Sequence, residues 1–144
     1  MESQLDAIQR LILVSGYKDD NPGAHIVRVS RYSAFLAKKL GLPESDVLTI
    51  RYASSLHDIG KIAIPDAILF KPDKLTPEEY EIVKDHTIIG AEILNNCTCG
   101  ILQVAQKIAA SHHEKWNGKG YPRGLSGEDI PLAGRIVAVA DVFD

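Results

Sequence analysis

The chain of 144 residues is 45% hydrophobic and 24% charged, an ordinary globular composition for one domain with a sizeable core. Its 16 basic and 19 acidic residues leave a net charge of −3, without the basic excess expected of a binder of long nucleic acid. No apolar run is long enough for a membrane span or a signal peptide, and two close cysteines, Cys97 and Cys99, build no disulfide framework, so a reducing, cytoplasmic setting is expected.

The elements read in chain order as helices. Leu5, Ile8, Leu11 and Ile12 recur at helical spacing in a first segment that ends near Gly16. Asn21-Pro22 is a start signal, because Asn caps and Pro suits the first helical position. Ile26, Val29, Leu36 and Leu40 continue that helix to Gly41. Pro43, Glu44 and Asp46 open the next one, which carries Val47, Leu48, Ile50 and Leu56 and is expected to run to Gly60. Ile64 to Phe70 reads as one short helical turn and a loop. Thr76-Pro77-Glu78-Glu79 is a capping box, opening a single helix predicted to end near Asn95. Ile101 to His113 forms another helix. A loop of about 15 residues follows from Trp116 to Ile130, rich in glycine and long enough to suggest function. Pro131 then restarts a helix that runs to the end. The chain is therefore expected to be all-α and a single domain, with an N-terminal helix over residues 1–20 and a core over 21–144.

Chemistry concentrates in five histidines: His25, His57, His86, His112 and His113. His57-Asp58 stands near a helix end, and imidazole and carboxylate both suit first-row divalent metals. Successive candidates, closed by Asp141, lie roughly 26 to 32 residues apart, the length of one excursion up and down a helical bundle. A carboxylate with two oxygens, such as that of Asp58, is suited to bridging two ions. At this level the residues allow either a metal site or ordinary capped and core histidines. Lys61 reads as a solvated lysine or a phosphate contact. Lys115, Lys119 and Arg123 make the glycine-rich loop locally basic, which suits either solvent or an anionic substrate. Trp116 and Tyr121 suit stacking on a base or anchoring the loop. Cys97-Thr98-Cys99 reads as a helix terminus.

Taken together, His57-Asp58-Ile59-Gly60-Lys61, His112-His113-Glu114, Trp116-Asn117-Gly118-Lys119-Gly120-Tyr121-Pro122, Gly124-Leu125, Ile130-Pro131, Arg135-Ile136 and Ala140-Asp141-Val142-Phe143-Asp144 resemble the HD-GYP family of HD metal-dependent phosphohydrolases. The likeness covers roughly residues 21 to 144. It implies an HD-type helical bundle with a long glycine-rich loop. It also implies hydrolysis of the bacterial second messenger cyclic di-GMP to pGpG, GMP or both by a metal-activated hydroxide. Other nucleotides as substrate, or a non-catalytic signalling module, are the competing readings.

The same resemblance implies His25, His57, Asp58 and Asp141 around one metal, with Asp58 bridging to a second held by His86 and His112 and completed by His113. Asp58 and Lys61 are the implied catalytic residues, and Lys61, Lys119, Tyr121 and Arg123 the implied substrate contacts. Iron or manganese is the implied metal, and the loop is a possible docking face for a signalling protein. Some family members carry a glutamate, ligand to a third ion, where this chain has Asn21, so two ions are expected. The loop's usual Asp after Trp is here Asn117. Family members also continue past the equivalent of Asp144 with further basic residues that help to bind substrate, so the chain is expected to be short at this end.

Overall fold

The computed structural model describes residues 2–18 and 23–144. The start signal at Asn21-Pro22, and Asn21 as the position bearing on a third ion, lie outside the described residues. The helices are α1 (Glu2–Gly16), α2 (Ala24–Lys39), α3 (Glu44–Ser54), α4 (Asp66–Leu69), α5 (Pro77–Lys84), α6 (His86–Ile93), α7 (Gly100–Ser111) and α8 (Leu132–Phe143). Short 3-10 turns occupy Ile59–Ala63 and Gly127–Asp129. No strand occurs among the described residues, as an all-α HD-type bundle requires.

Local chemistry sets most boundaries where the sequence puts them. Thr76 accepts from the Glu79 amide at 3.1 Å and Glu79 returns a bond to the Thr76 amide at 2.8 Å, completing the capping box. Gly41, at φ +84°, takes the left-handed conformation just beyond α2. Cys99 caps α7, and both cysteines are free thiols.

Two boundaries differ from expectation. The helix predicted to reach Gly60 ends at Ser54. Beyond it the backbone tightens to three-residue bonds, Leu56 to Ala53 and His57 to Ser54, and the His57 ring takes the Ser54 carbonyl at 2.7 Å. The segment expected as one helix from Thr76 to Asn95 is two, parted at Asp85. There the His86 ring bonds the Val83 carbonyl at 2.6 Å and the Thr87 hydroxyl bonds the Lys84 carbonyl at 2.8 Å, so side chains compete for the carbonyls of the last α5 turn.

The core joins Ile8 of α1, Val29 of α2, Ala53 of α3, Leu56 and Ile59, Leu94, Ala105, Ile108 and Ala109 of α7, and Val137 and Ala140 of α8. Helix α7 packs against α3, α6 and α8, while α2 packs against α3 and α8. The first 3-10 turn lies on α6, and the approach is close enough to demand glycine. A Cβ on Gly60 would fall 1.9 Å from the His86 carbonyl oxygen and 2.7 Å from the Gly90 nitrogen. Gly60 thus lets the backbone that carries Asp58 touch the backbone that carries His86. Gly60→Ala is expected to cost about 1–3 kcal/mol or more, read as a lowered urea midpoint, because the obstructing atoms are backbone. Unchanged stability would contradict this contact.

Candidate metal centre

Five elements deliver the centre. His57 and Asp58 lie in the tightened turns after α3, His86 opens α6, His112 caps the end of α7 with His113 next to it, and His25 and Asp141 face each other from α2 and α8. Their ligand atoms converge in two groups, each within 4.8 Å: Asp58, His86, His112 and His113, and His25, His57 and Asp141. The seven residues expected as metal ligands all fall in these two groups; Asp58 belongs by this criterion to the group of His86, His112 and His113, and not to that of His25, His57 and Asp141.

Asp58 stands between the groups. Its Oδ1 lies 3.1 Å from His86 Nε2 and 3.2 Å from His112 Nε2. Its Oδ2 lies 3.2 Å from His57 Nε2 and 3.0 Å from Lys61 Nζ. His57 Nε2 is also 3.5 Å from Asp141 Oδ1, and His25 Nε2 is 2.9 Å from that same oxygen. His113 packs against His112, with ring centroids 4.3 Å apart, and against His86 at 5.1 Å.

The donor chemistry fits divalent cations. The Nδ1 atoms of His57, His86 and His112 lie 2.7, 2.6 and 3.0 Å from the carbonyls of Ser54, Val83 and Ile108. A carbonyl only accepts, so each Nδ1 carries the hydrogen; a ring that is neutral then turns a bare Nε2 lone pair toward Asp58, and a ring that is charged turns an N–H toward it. The two lone pairs of His86 and His112 lie 3.5 Å apart, beside a carboxylate oxygen that donates nothing. His57 Nε2 is buried with no hydrogen-bond partner. Inward-facing electron pairs of this kind need a positive charge among them.

The electrostatics agree. Burial opposes ionisation of Asp58, yet the His57 charge and the facing imidazoles of His112 and His86 hold its carboxyl well below the usual carboxylate range. Burial also opposes a charge on His57, but Asp58 and Asp141 outweigh it and raise that imidazole well above its ordinary value. Burial, reinforced by His112 and His86, pushes His113 down to about 3 and leaves it a neutral imidazole at physiological pH. Burial lowers His112 as well, and Asp58 opposes it only in part. Asp141 is held at about 2, burial being overcome by the His57 imidazole beside it.

The chain belongs to the HD domain family. The family model described as "HD domain" matches residues 12–144. The chain is 50% identical over 139 residues to a cyclic di-GMP phosphodiesterase of Thermotoga maritima, covering 96% of this chain and 38% of that protein. It is 55% identical over 122 residues to 3'3'-cGAMP-specific phosphodiesterase 2 of Vibrio cholerae, covering 85% of this chain and 23% of the relative. It is 47% identical over 143 residues to the cyclic di-GMP phosphodiesterase response regulator RpfG of Xanthomonas campestris, covering 99% and 38% respectively. A crystal structure of a cyclic GMP-AMP-specific phosphodiesterase of Vibrio cholerae shares the fold at a TM-score of 0.65 and 21% identity, over 95% of this chain and 40% of that one. The chain thus spans well under half the length of these relatives.

Within this HD domain the glycine-rich loop is fastened to the centre. Tyr121 stacks on His113 with centroids 4.7 Å apart and rings 13° from parallel, and its amide bonds the His113 carbonyl at 3.1 Å. A Cβ on Gly120 would sit 2.3 Å from that carbonyl oxygen, so glycine is what lets the strand of loop lie flat there. Asn117 Oδ1 accepts from the Lys119 amide at 2.9 Å, a turn bond for which the amide oxygen serves. Of the expected substrate contacts, Lys61 and Tyr121 touch the ligand set. Lys119 is exposed on the loop, and Arg123 lines a shallow groove between α6 and α7 with Ile88, Glu92, Gln106 and Pro122. Trp116 is exposed beneath the Arg135 guanidinium, 5.8 Å from its ring centre.

Glu114 has a task that its place in the His112-His113-Glu114 motif does not itself assign. Its carboxylate is buried, and its two oxygens accept from the amides of Arg123 and Leu125 at 2.9 Å each. A Glu beside two ligand histidines and ahead of a glycine-rich loop was the available signal. Tyr80 and Lys84 of α5 carried no such signal, yet Lys84 Nζ lies 5.2 and 5.3 Å from the ring centres of Tyr80 and Tyr121.

Two outcomes are expected. Glu114→Ala leaves two loop amides without acceptors and should cost about 1–3 kcal/mol, with faster amide exchange at Arg123 and Leu125 than in the parent chain. Metal binding should release protons near neutrality, because the raised His57 holds a proton that a cation must displace. Affinity for Mn²⁺ therefore rises with pH until His57 is neutral in the metal-free chain. Titration calorimetry in buffers of different ionisation enthalpy reads this directly, and an affinity flat from about pH 6 to 9 would refute it.

Proposed function

We propose that this chain is the catalytic domain, one unit over residues 1–144, of a metal-dependent cyclic di-GMP phosphodiesterase. The carrying observation is the division of the Asp58 carboxylate between two ligand groups, one oxygen toward each. Two divalent ions, iron or manganese, are proposed to be held by His25, His57, Asp58 and Asp141 and by Asp58, His86, His112 and His113. Such ions lower the pKa of coordinated water to near neutrality and offset charge developing on a phosphoryl group.

The chain's own residues supply the rest. Asp58 is proposed to hold both ions in one register. Lys61, its Nζ 3.0 Å from Asp58 Oδ2 and partly exposed, is proposed to reach a nonbridging phosphate oxygen as negative charge accumulates there. Tyr121 covers His113 and limits water at that end of the site, its phenol pushed up beyond the ordinary range by burial and by Tyr80. Lys119 and Arg123 are proposed to attract the anionic substrate from the loop rather than to touch the reacting phosphate. Opening one ester linkage would give pGpG, and a second cleavage GMP. A cytoplasmic setting belongs to the same proposal; no helix among the described residues is long and apolar enough to cross a membrane. A protein partner on the glycine-rich loop finds no support in the geometry, since Tyr121 and Glu114 are turned inward.

One observation favours a second substrate. A relative 55% identical to this chain is named a 3'3'-cGAMP-specific phosphodiesterase, so another cyclic dinucleotide is the competing reading. Turnover of cyclic di-GMP, 3'3'-cGAMP and pGpG, each with Mn²⁺ and with anaerobic Fe²⁺, separates the two. Asp58→Ala and His57→Ala are expected to lose metal and turnover together, while Lys61→Ala keeps metal and loses about 10²–10³ in kcat/KM. Full hydrolysis by Asp58→Ala would sink the proposal.

A further inference from the structure

His25 is oriented differently from the three histidines that face Asp58. Those bond a backbone carbonyl through Nδ1, whereas His25 Nδ1 lies 2.6 Å from a carboxylate oxygen, Asp144 Oδ2. Its other nitrogen, Nε2, faces Asp141 Oδ1 at 2.9 Å. Asp144 is itself gripped from α2: Arg28 Nε bonds Oδ1, and Arg28 Nη2 bonds Oδ2 at 3.0 Å. Two pairs spaced by three residues therefore face each other, His25 and Arg28 on α2 and Asp141 and Asp144 at the end of α8.

The Asp144 side chain is only 7% exposed, and its Oδ2 meets both His25 Nδ1 and Arg28 Nη2, so the carboxylate that Arg28 holds is the one that faces the imidazole.

We infer that Asp144, clamped by Arg28, is the positioning carboxylate of His25, holding the hydrogen on Nδ1 and presenting Nε2 as a ligand. This rests on the ligand assignment proposed above. A carboxylate partner also makes the ring a stronger donor than a backbone carbonyl does. It follows that the two ligand sets are not equivalent. The set of His25, His57 and Asp141 depends on side chains that join α2 to α8. The set of Asp58, His86, His112 and His113 is built on α6, α7 and the turn after α3, and is independent of that junction.

The test titrates Mn²⁺ alone into the metal-free chain, with calorimetry as the readout, for the parent, Asp144→Ala and Arg28→Ala. The parent is expected to bind two ions. In Asp144→Ala one site should weaken about 10- to 100-fold while the other keeps its affinity, and Arg28→Ala should weaken the same site by less. Histidine ¹H–¹⁵N spectra of the metal-free proteins give a readout free of metal. The Nδ1 proton of His25 should lose its low-field position in Asp144→Ala, with those of His57, His86 and His112 unchanged. Unaltered affinity at both sites, equal loss at both, or an unmoved His25 proton would overturn the role of Asp144. A parent chain that binds fewer than two ions would instead overturn the ligand assignment beneath it.

Discussion

The Asp58 carboxylate, enclosed by imidazoles whose Nε2 atoms all point inward, is the constraint around which the rest of the molecule is arranged. An anion is costly to bury, and the three rings facing it commit their Nδ1 hydrogens to backbone carbonyls. The departures from regular helix follow from it. Helix α3 stops short so that His57 and Asp58 turn into one site, and α5 parts from α6 where the His86 ring claims a carbonyl. Gly60 has no side chain, so these two irregular stretches can meet. Each local irregularity would be unfavourable alone, and each serves to position residues of the candidate centre.

The glycine-rich loop is better understood as part of this core than as a surface appendage. Glu114 binds its far side through two amides, and Tyr121 covers the imidazole that lies just before Glu114 in sequence. The loop therefore follows and folds back on the same two residues, His113 and Glu114. A shift in the end of α7 moves ligands and cover together. This coupling accounts for the burial of a glutamate that touches neither ligand group through its side chain.

Much of this was legible in the sequence, for identifiable reasons. Helical spacing of apolar residues and the caps at Thr76 and Gly41 mark the elements, and the histidine spacing anticipates that the ligands share one level of the bundle. The family resemblance supplied their division into two groups. The end of α3 and the break at Asp85 were not legible. Periodicity continues through both, and only tertiary contact decides that a histidine ring rather than an amide takes the carbonyl. Arg123 was grouped with Lys119 by proximity in sequence, but the loop turns between them and sends Arg123 to another groove. Tyr80 and Lys84 lie far from any motif and meet Tyr121 only through the packing of α5.

The charge inventory around the centre places a condition on the proposed chemistry. Asp58, Asp141 and Asp144 contribute three carboxylates, and Lys61 and Arg28 contribute two fixed cations, engaged by Asp58 and Asp144 respectively. In a chain of net charge −3, that balance leaves the metal-free pocket unwelcoming to a phosphodiester. The raised His57 shows the same demand, since it draws a proton into a buried position where burial alone would exclude one. The positive charge that an anionic substrate requires must therefore come from what the ligands bind, and substrate affinity is subordinate to the filling of both groups. The basic residues of the loop can bring an anion near the mouth, but only the ligands around Asp58 can make the floor of the pocket receive it.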